Sequence, residues 1–91
     1  MKQLLKVIEV MPQRTFQSQR GENIVATGMR LSQGRDQFYG EAYGQQAIGL
    51  PENLGGGDLV WCDLSFTVNK REYEGKTFYE QRVNVSNVER I

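Results

Sequence analysis

Between residues 59 and 68 every second side chain is apolar: Val60, Cys62, Leu64, Phe66 and Val68, separated by Trp61, Asp63, Ser65 and Thr67. Apolar residues at period two fit a β-strand with one face against a core and do not fit an amphipathic helix, whose apolar positions recur at three and four. The strand has a marked start, because Gly55-Gly56-Gly57-Asp58 precedes it and glycines supply the backbone angles of a turn. The chain has 91 residues, enough for one small domain spanning 1–91 and too few for two packed ones. Its 38% hydrophobic and 24% charged content fits a folded chain rather than a disordered one.

The same alternation recurs along the chain. Residues 2–11 read as a first strand, apolar on both faces, with Leu4, Ile8 and Val10 opposing Leu5, Val7 and Met11; Pro12 ends it. Residues 13–22 are polar and read as a loop. A second strand over 24–31 sets Val25, Thr27, Met29 and Leu31 against Ile24, Ala26, Gly28 and Arg30. After the turn at 32–36, a third strand over 37–43 alternates Phe38, Gly40 and Ala42 with Gln37, Tyr39, Glu41 and Tyr43. Residues 44–54 are the one place for a helix, limited to a turn or two by Pro51. Residues 69–76 read as a charged hairpin loop pivoting at Glu74-Gly75, and a last strand over 77–88 sets Tyr79, Val83 and Val85 against Glu80, Arg82 and Asn84.

What is missing narrows the chemistry. The chain has no histidine, which removes imidazole-based catalysis and the commonest metal ligand. Its one cysteine, Cys62, can form neither an internal disulfide nor a cysteine cluster for zinc. Gly55-Gly56-Gly57-Asp58 lacks the Lys-Ser/Thr of a phosphate loop. The expectation is a non-enzyme with no cofactor and no metal. No stretch approaches the roughly 20 apolar residues of a membrane helix, and the charged opening Met1-Lys2-Gln3-Leu4-Leu5-Lys6 does not read as a secretory signal; a cytoplasmic location is expected. Eleven basic residues balance eleven acidic ones. The balance is uneven, because residues 12–35 carry Arg14, Arg20, Arg30 and Arg35 against Glu22 alone, whereas 36–63 carry five acids and no base. A neutral total can therefore hide a basic stripe.

The order β-β-β-(short α)-β-β predicts an all-β protein of the OB-fold kind, a five-stranded, partly open Greek-key barrel with a short helix between strands three and four. An SH3-like barrel lacks that helical insertion. In OB-folds, ligands lie across strands two and three and between the first-second and fourth-fifth loops. A single-stranded nucleic acid needs aromatic faces for its bases and cations for its phosphates there. Strand three offers Tyr39 and Tyr43, and strand two offers Arg30. The first-second loop adds Arg14, Phe16 and Arg20; the fourth-fifth loop adds Lys70, Arg71, Tyr73 and Lys76. Each of these has a plainer reading, since barrel-edge tyrosines also cap cores and hairpin tips are charged for solubility. Their coincidence at the expected places favours a ligand site.

The second half resembles the bacterial single-stranded DNA-binding (SSB) family. The likeness runs through Phe38-Tyr39-Gly40-Glu41-Ala42-Tyr43-Gly44-Gln45-Gln46-Ala47, then Gly57-Asp58-Leu59-Val60-Trp61-Cys62-Asp63-Leu64, then Arg71-Glu72-Tyr73-Glu74-Gly75-Lys76 and the Tyr79–Val85 strand. The resemblance implies base stacking at Tyr39 and Tyr43 and near Tyr73, homodimers or homotetramers, sequestration of single-stranded DNA (or RNA) with little sequence preference, and service in replication, recombination, repair or DNA transfer. Three departures stand out: Gln37 in place of the family's strand-three tryptophan, Glu41 in place of an apolar or basic residue, and Leu64 in place of the strand-four glycine. The sequence ends at Ile91 without the family's long acidic-tipped extension, which points to the shorter, tail-less primosomal relatives. The rival expectation is an OB-fold interaction module that uses its aromatics and Trp61 on another protein, or on a second copy, and binds no nucleic acid.

Overall fold

The alternating stretch does form a strand, and it runs further than its apolar pattern. The structure, a computed structural model describing residues 2–91, contains β1 (Lys2–Val10), β2 (Arg14–Gln17), β3 (Asn23–Gln33), β4 (Asp36–Tyr43), α1 (Gln45–Ile48), β5 (Leu59–Tyr73) and β6 (Lys76–Arg90). All are β apart from one short helix. The strands form a sheet in the order β1-β5-β6-β4-β3-β2, and β1 also pairs with β3, so β1, β5, β6, β4 and β3 close into a ring. Every neighbouring pair is antiparallel except β4 and β6, which run parallel and register at Glu41 against Asn84.

The ring closes because β1 has partners along both edges, β3 on one side and β5 on the other. Its inward residues Leu5 and Val7 meet Met29 and Leu31 of β3, Ala42 of β4, Val60 and Cys62 of β5, and Val85 of β6 in one core. Ala47 of α1 is buried in the same cluster. These are the inward positions that the alternation of residues 24–31 and 37–43 anticipates. Burial of Cys62, beside Asp63, pushes its thiol up to about 11, so it stays neutral and unreactive at physiological pH.

Three expectations need correction. The loop expected over 13–22 contains β2. After Pro12 the chain resumes pairing with β3, so that β1 lies along the C-terminal half of β3 and β2 along its N-terminal half. The polar tip shrinks to a tight connection in which the Ser18 N–H donates to the Glu22 carbonyl at 2.8 Å. The strand count is therefore six, not five.

The loop expected over 69–76 is likewise mostly strand. β5 and β6 stay in register to Tyr73 against Lys76, leaving Glu74 and Gly75 as a two-residue turn. Both have positive φ, 50° and 76°, as a type I′ hairpin turn demands. The arm projects beyond the ring, which also overturns the third expectation. Phe66 and Val68 continue the inward face of β5, yet they are 61% and 62% exposed because no facing strand reaches them. The long hairpin accounts for the elongated shape of 46 × 33 × 23 Å.

One irregularity ties the helix to the ring. A bulge sets Asn87 and Val88 of β6 opposite the single Cys62 of β5. Asn87 takes the left-handed conformation at φ 53°, which asparagine tolerates better than most side chains. Its N–H donates to Gln46 Oε1 at 2.7 Å, and its side-chain amide donates to Asp63 Oδ2 at 2.8 Å. That second bond is the chief reason the Asp63 carboxyl is held below its ordinary pKa. No helix among the described residues is long and apolar enough to cross a membrane.

Candidate nucleic-acid interface

Alternation on β3 sends Met29 and Leu31 inward and therefore sends Ala26, Gly28 and Arg30 to the opposite surface. Registered pairing carries this outer surface across its neighbours. Arg14 and Phe16 of β2 lie beside Ala26 and Ile24, while Tyr43, Glu41 and Tyr39 of β4 lie beside Ala26, Gly28 and Arg30. Tyr39 and Tyr43 thus point out of the core, Tyr39 at 49% exposure and Tyr43 half-buried.

The aromatic rings are seated, not loose. Tyr39 lies diagonally across β3 over Gly28, where a Cβ would overlap its hydroxyl and come within 2.6 Å of its Cζ. Only glycine leaves that seat open. Phe16 meets Tyr43 edge to face, with centroids 6.4 Å apart and planes at 85°, a favoured arrangement for two rings. The Arg14 guanidinium lies 5.8 Å from the Phe16 centroid, within cation–π range. These rings cover Ala26, which is fully buried although it faces outward.

β6 completes the site. Because Asn84 registers with Glu41, the outward residues of β6 continue this face along the arm. An open groove of about 500 Å³ results, lined by Arg14, Phe16, Tyr39, Glu41, Tyr43, Glu80, Gln81, Arg82 and Val83. Of the residues expected from sequence, Arg14, Phe16, Tyr39 and Tyr43 are brought together here. Arg30 stands next to Tyr39 on the same face.

The others lie elsewhere. Arg71, Tyr73 and Lys76 share the face of the arm that carries Arg82, by register, but sit beyond the groove toward the tip. Lys70 is on the opposite face, across from Tyr79. Arg20 is exposed in the turn between β2 and β3, outside the groove lining. Arg82 and Glu80 were not among the sequence candidates. Their alternation in the last strand was visible, but the parallel β4–β6 contact that turns them into the groove was not.

The groove is crowded with opposite charges. Arg14 pairs with Glu41, whose other oxygen accepts from the Tyr43 hydroxyl at 3.0 Å. Arg82 donates to Glu80 Oε1 through Nε and a terminal nitrogen at 3.3 and 3.1 Å, and Arg71 reaches Glu80 Oε2 at 3.1 Å. Arg30 pairs with Glu9 at 3.0 Å. Burial, then the hydrogen bond to Glu41, raises the Tyr43 phenol above its usual pKa, so it remains a neutral donor. Such a surface offers aromatic faces at once and cations whose charge is already partly neutralised by neighbouring carboxylates. Trp61 takes no part; it lies on the outer side of β5 against Leu4, the two being 41% and 43% exposed. No protein-family model matches this sequence, and no curated protein gives a significant match.

Proposed function

We propose that this chain is an OB-fold protein that binds single-stranded nucleic acid, with little sequence preference and without catalysis, in the manner of the SSB family that its residues 38–88 resemble. The carrying observation is the convergence of Phe16, Tyr39 and Tyr43 with Arg14 and Arg82 in one open groove. The strand ring with α1 between β4 and β5 supports the OB reading. Bases stack on the rings, and phosphates run past Arg14, Arg30 and Arg82 toward Arg71 and Lys76 on the arm. The direct test is a titration of fluorescent oligo-dT at low salt, followed by anisotropy. Sub-micromolar, salt-sensitive binding is expected; no change at tens of micromolar protein would remove the proposal. An oligo-rU titration beside it separates DNA from RNA preference.

Gly28→Ala probes the seat of Tyr39 without touching a ring. The new methyl occupies the place of the phenol, so the ring swings off β3 and oligo-dT affinity falls about tenfold, equivalent to roughly 1.4 kcal/mol and within the range of one stacking contact. Anisotropy, together with an unchanged far-ultraviolet spectrum, checks it.

A specific observation favours self-association as a second element of this reading. The arm face continuous with the core carries Phe66, Val68 and Tyr79 at 61%, 62% and 70% exposure. Contiguous exposed apolar side chains on a folded domain mark an interaction surface. A homodimer or homotetramer that packs these faces together is expected, with a light-scattering mass two or four times the 10.4 kDa of one chain. A 10.4 kDa species at high concentration excludes it.

A further inference from the structure

Arginines of this face are already held by carboxylates of the same protein. Glu41 takes Arg14 and also accepts from Tyr43 at 3.0 Å; Glu80 takes Arg82 at 3.1 Å with one oxygen and Arg71 at 3.1 Å with the other. A carboxylate presents two acceptor oxygens to a guanidinium fork much as a phosphate does. Glu80 occupies Nε and one terminal nitrogen of Arg82, so a phosphate arriving there competes with it for the fork and meets the repulsion of its charge. Resting on the groove's reading as a nucleic-acid site, we propose that Glu41 and Glu80 are its specificity determinants: built-in phosphate mimics that admit a strand only when its bases stack on the rings, and that turn away polyanions lacking bases.

The energetic order is consistent. An exposed ion pair is a weak interaction, so it yields to a phosphate when a base stacks on Tyr39 or Tyr43 in the same event. Charge alone brings little such gain, because each phosphate meets an arginine already half neutralised and a carboxylate that repels it. The zero net charge of the chain adds no long-range attraction to offset this. The two carboxylates thus convert a groove containing arginines from a general polyanion trap into a reader of unpaired bases.

The test uses fluorescent oligo-dT and inorganic polyphosphate of matched charge on the full chain. Wild type is expected to bind oligo-dT and to ignore polyphosphate. Glu41→Gln/Glu80→Gln keeps hydrogen-bonding side chains in place and should bind polyphosphate at least about tenfold more tightly than wild type. Its oligo-dT salt slope should steepen by about 0.7 for each guanidinium freed. Glu80→Gln alone, on an exposed position of the arm, should do part of this and guards against a misfolded double variant. Glu52→Gln/Glu89→Gln removes the same charge outside the groove lining and should leave polyphosphate binding at the wild-type level. An equal rise in that control overturns the inference in favour of a general charge effect. Unchanged polyphosphate affinity and slope in the groove variant, with wild type still holding oligo-dT, overturns the inference alone. If neither protein binds oligo-dT or polyphosphate, the groove's assignment falls and the inference with it.

Discussion

Replacing Tyr39 and Tyr43 together by alanine is expected to weaken oligo-dT binding by at least about 30-fold. Stacking of a base on an aromatic ring contributes about 1–3 kcal/mol, and the two rings face the same groove from one strand. Taking the low end for both gives about 2 kcal/mol, which corresponds to that factor. The fold should survive, because both side chains point away from the core formed by Leu5, Met29, Leu31 and their neighbours. Tyr43 loses its contact with Phe16, so a modest drop in melting temperature is expected, while the far-ultraviolet spectrum should remain that of a β-protein. Tyr39→Phe/Tyr43→Phe keeps both rings and should retain most of the affinity. Anisotropy on these variants separates stacking from simple electrostatic adhesion. An alanine pair that binds as tightly as wild type would mean that bases never reach this groove.

The largest effect on stability is expected at Leu5. It is 1% exposed and sits on the one strand that pairs with both β3 and β5. Leu5→Ala should cost about 2–5 kcal/mol through lost transfer energy and the cavity left behind. A domain of this size has a total stability of only about 5–15 kcal/mol, so a large share disappears. At roughly 4–8 °C per kcal/mol for domains of this length, the melting temperature should fall by at least about 8 °C in thermal denaturation followed by circular dichroism. Leu4→Ala, one residue away but outward and 43% exposed, should shift it by far less. Equal losses at the two positions would contradict the inward–outward assignment of β1.

Most of the ring was legible in the sequence because period-two alternation reports directly on which face of a strand is buried. It placed Met29, Leu31, Ala42, Val60 and Cys62 inward and Tyr39, Tyr43 and Arg30 outward, as found. Other features were hidden for physical reasons. β2 spans four residues with a single apolar side chain, Phe16, too short for a period to register; its partner β3 supplies the order. Phe66 and Val68 keep the alternation of a buried strand, but burial depends on what lies opposite, and no strand faces the arm there. Arg82 and Glu80 became groove residues only through one parallel contact between β4 and β6, a long-range pairing that local pattern does not encode. The charge partners followed the same rule. Glu41 read as a departure from the family's apolar or basic residue, whereas its pairing with Arg14 across 27 positions of sequence needed β3 to hold β2 and β4 along its two edges.

A last consequence attaches to β3, whose two sides carry two different duties. Met29 and Leu31 fill the interior, while Gly28 seats Tyr39 and Ala26 lies beneath the aromatic cover. Sliding this strand by one residue would exchange the two sets, putting a methionine under the phenol and a glycine in the hydrophobic centre. Misalignment thus ruins solidity and the seat of the phenol at a stroke, so any molecule assembled well enough to endure is also one that holds this ring in place.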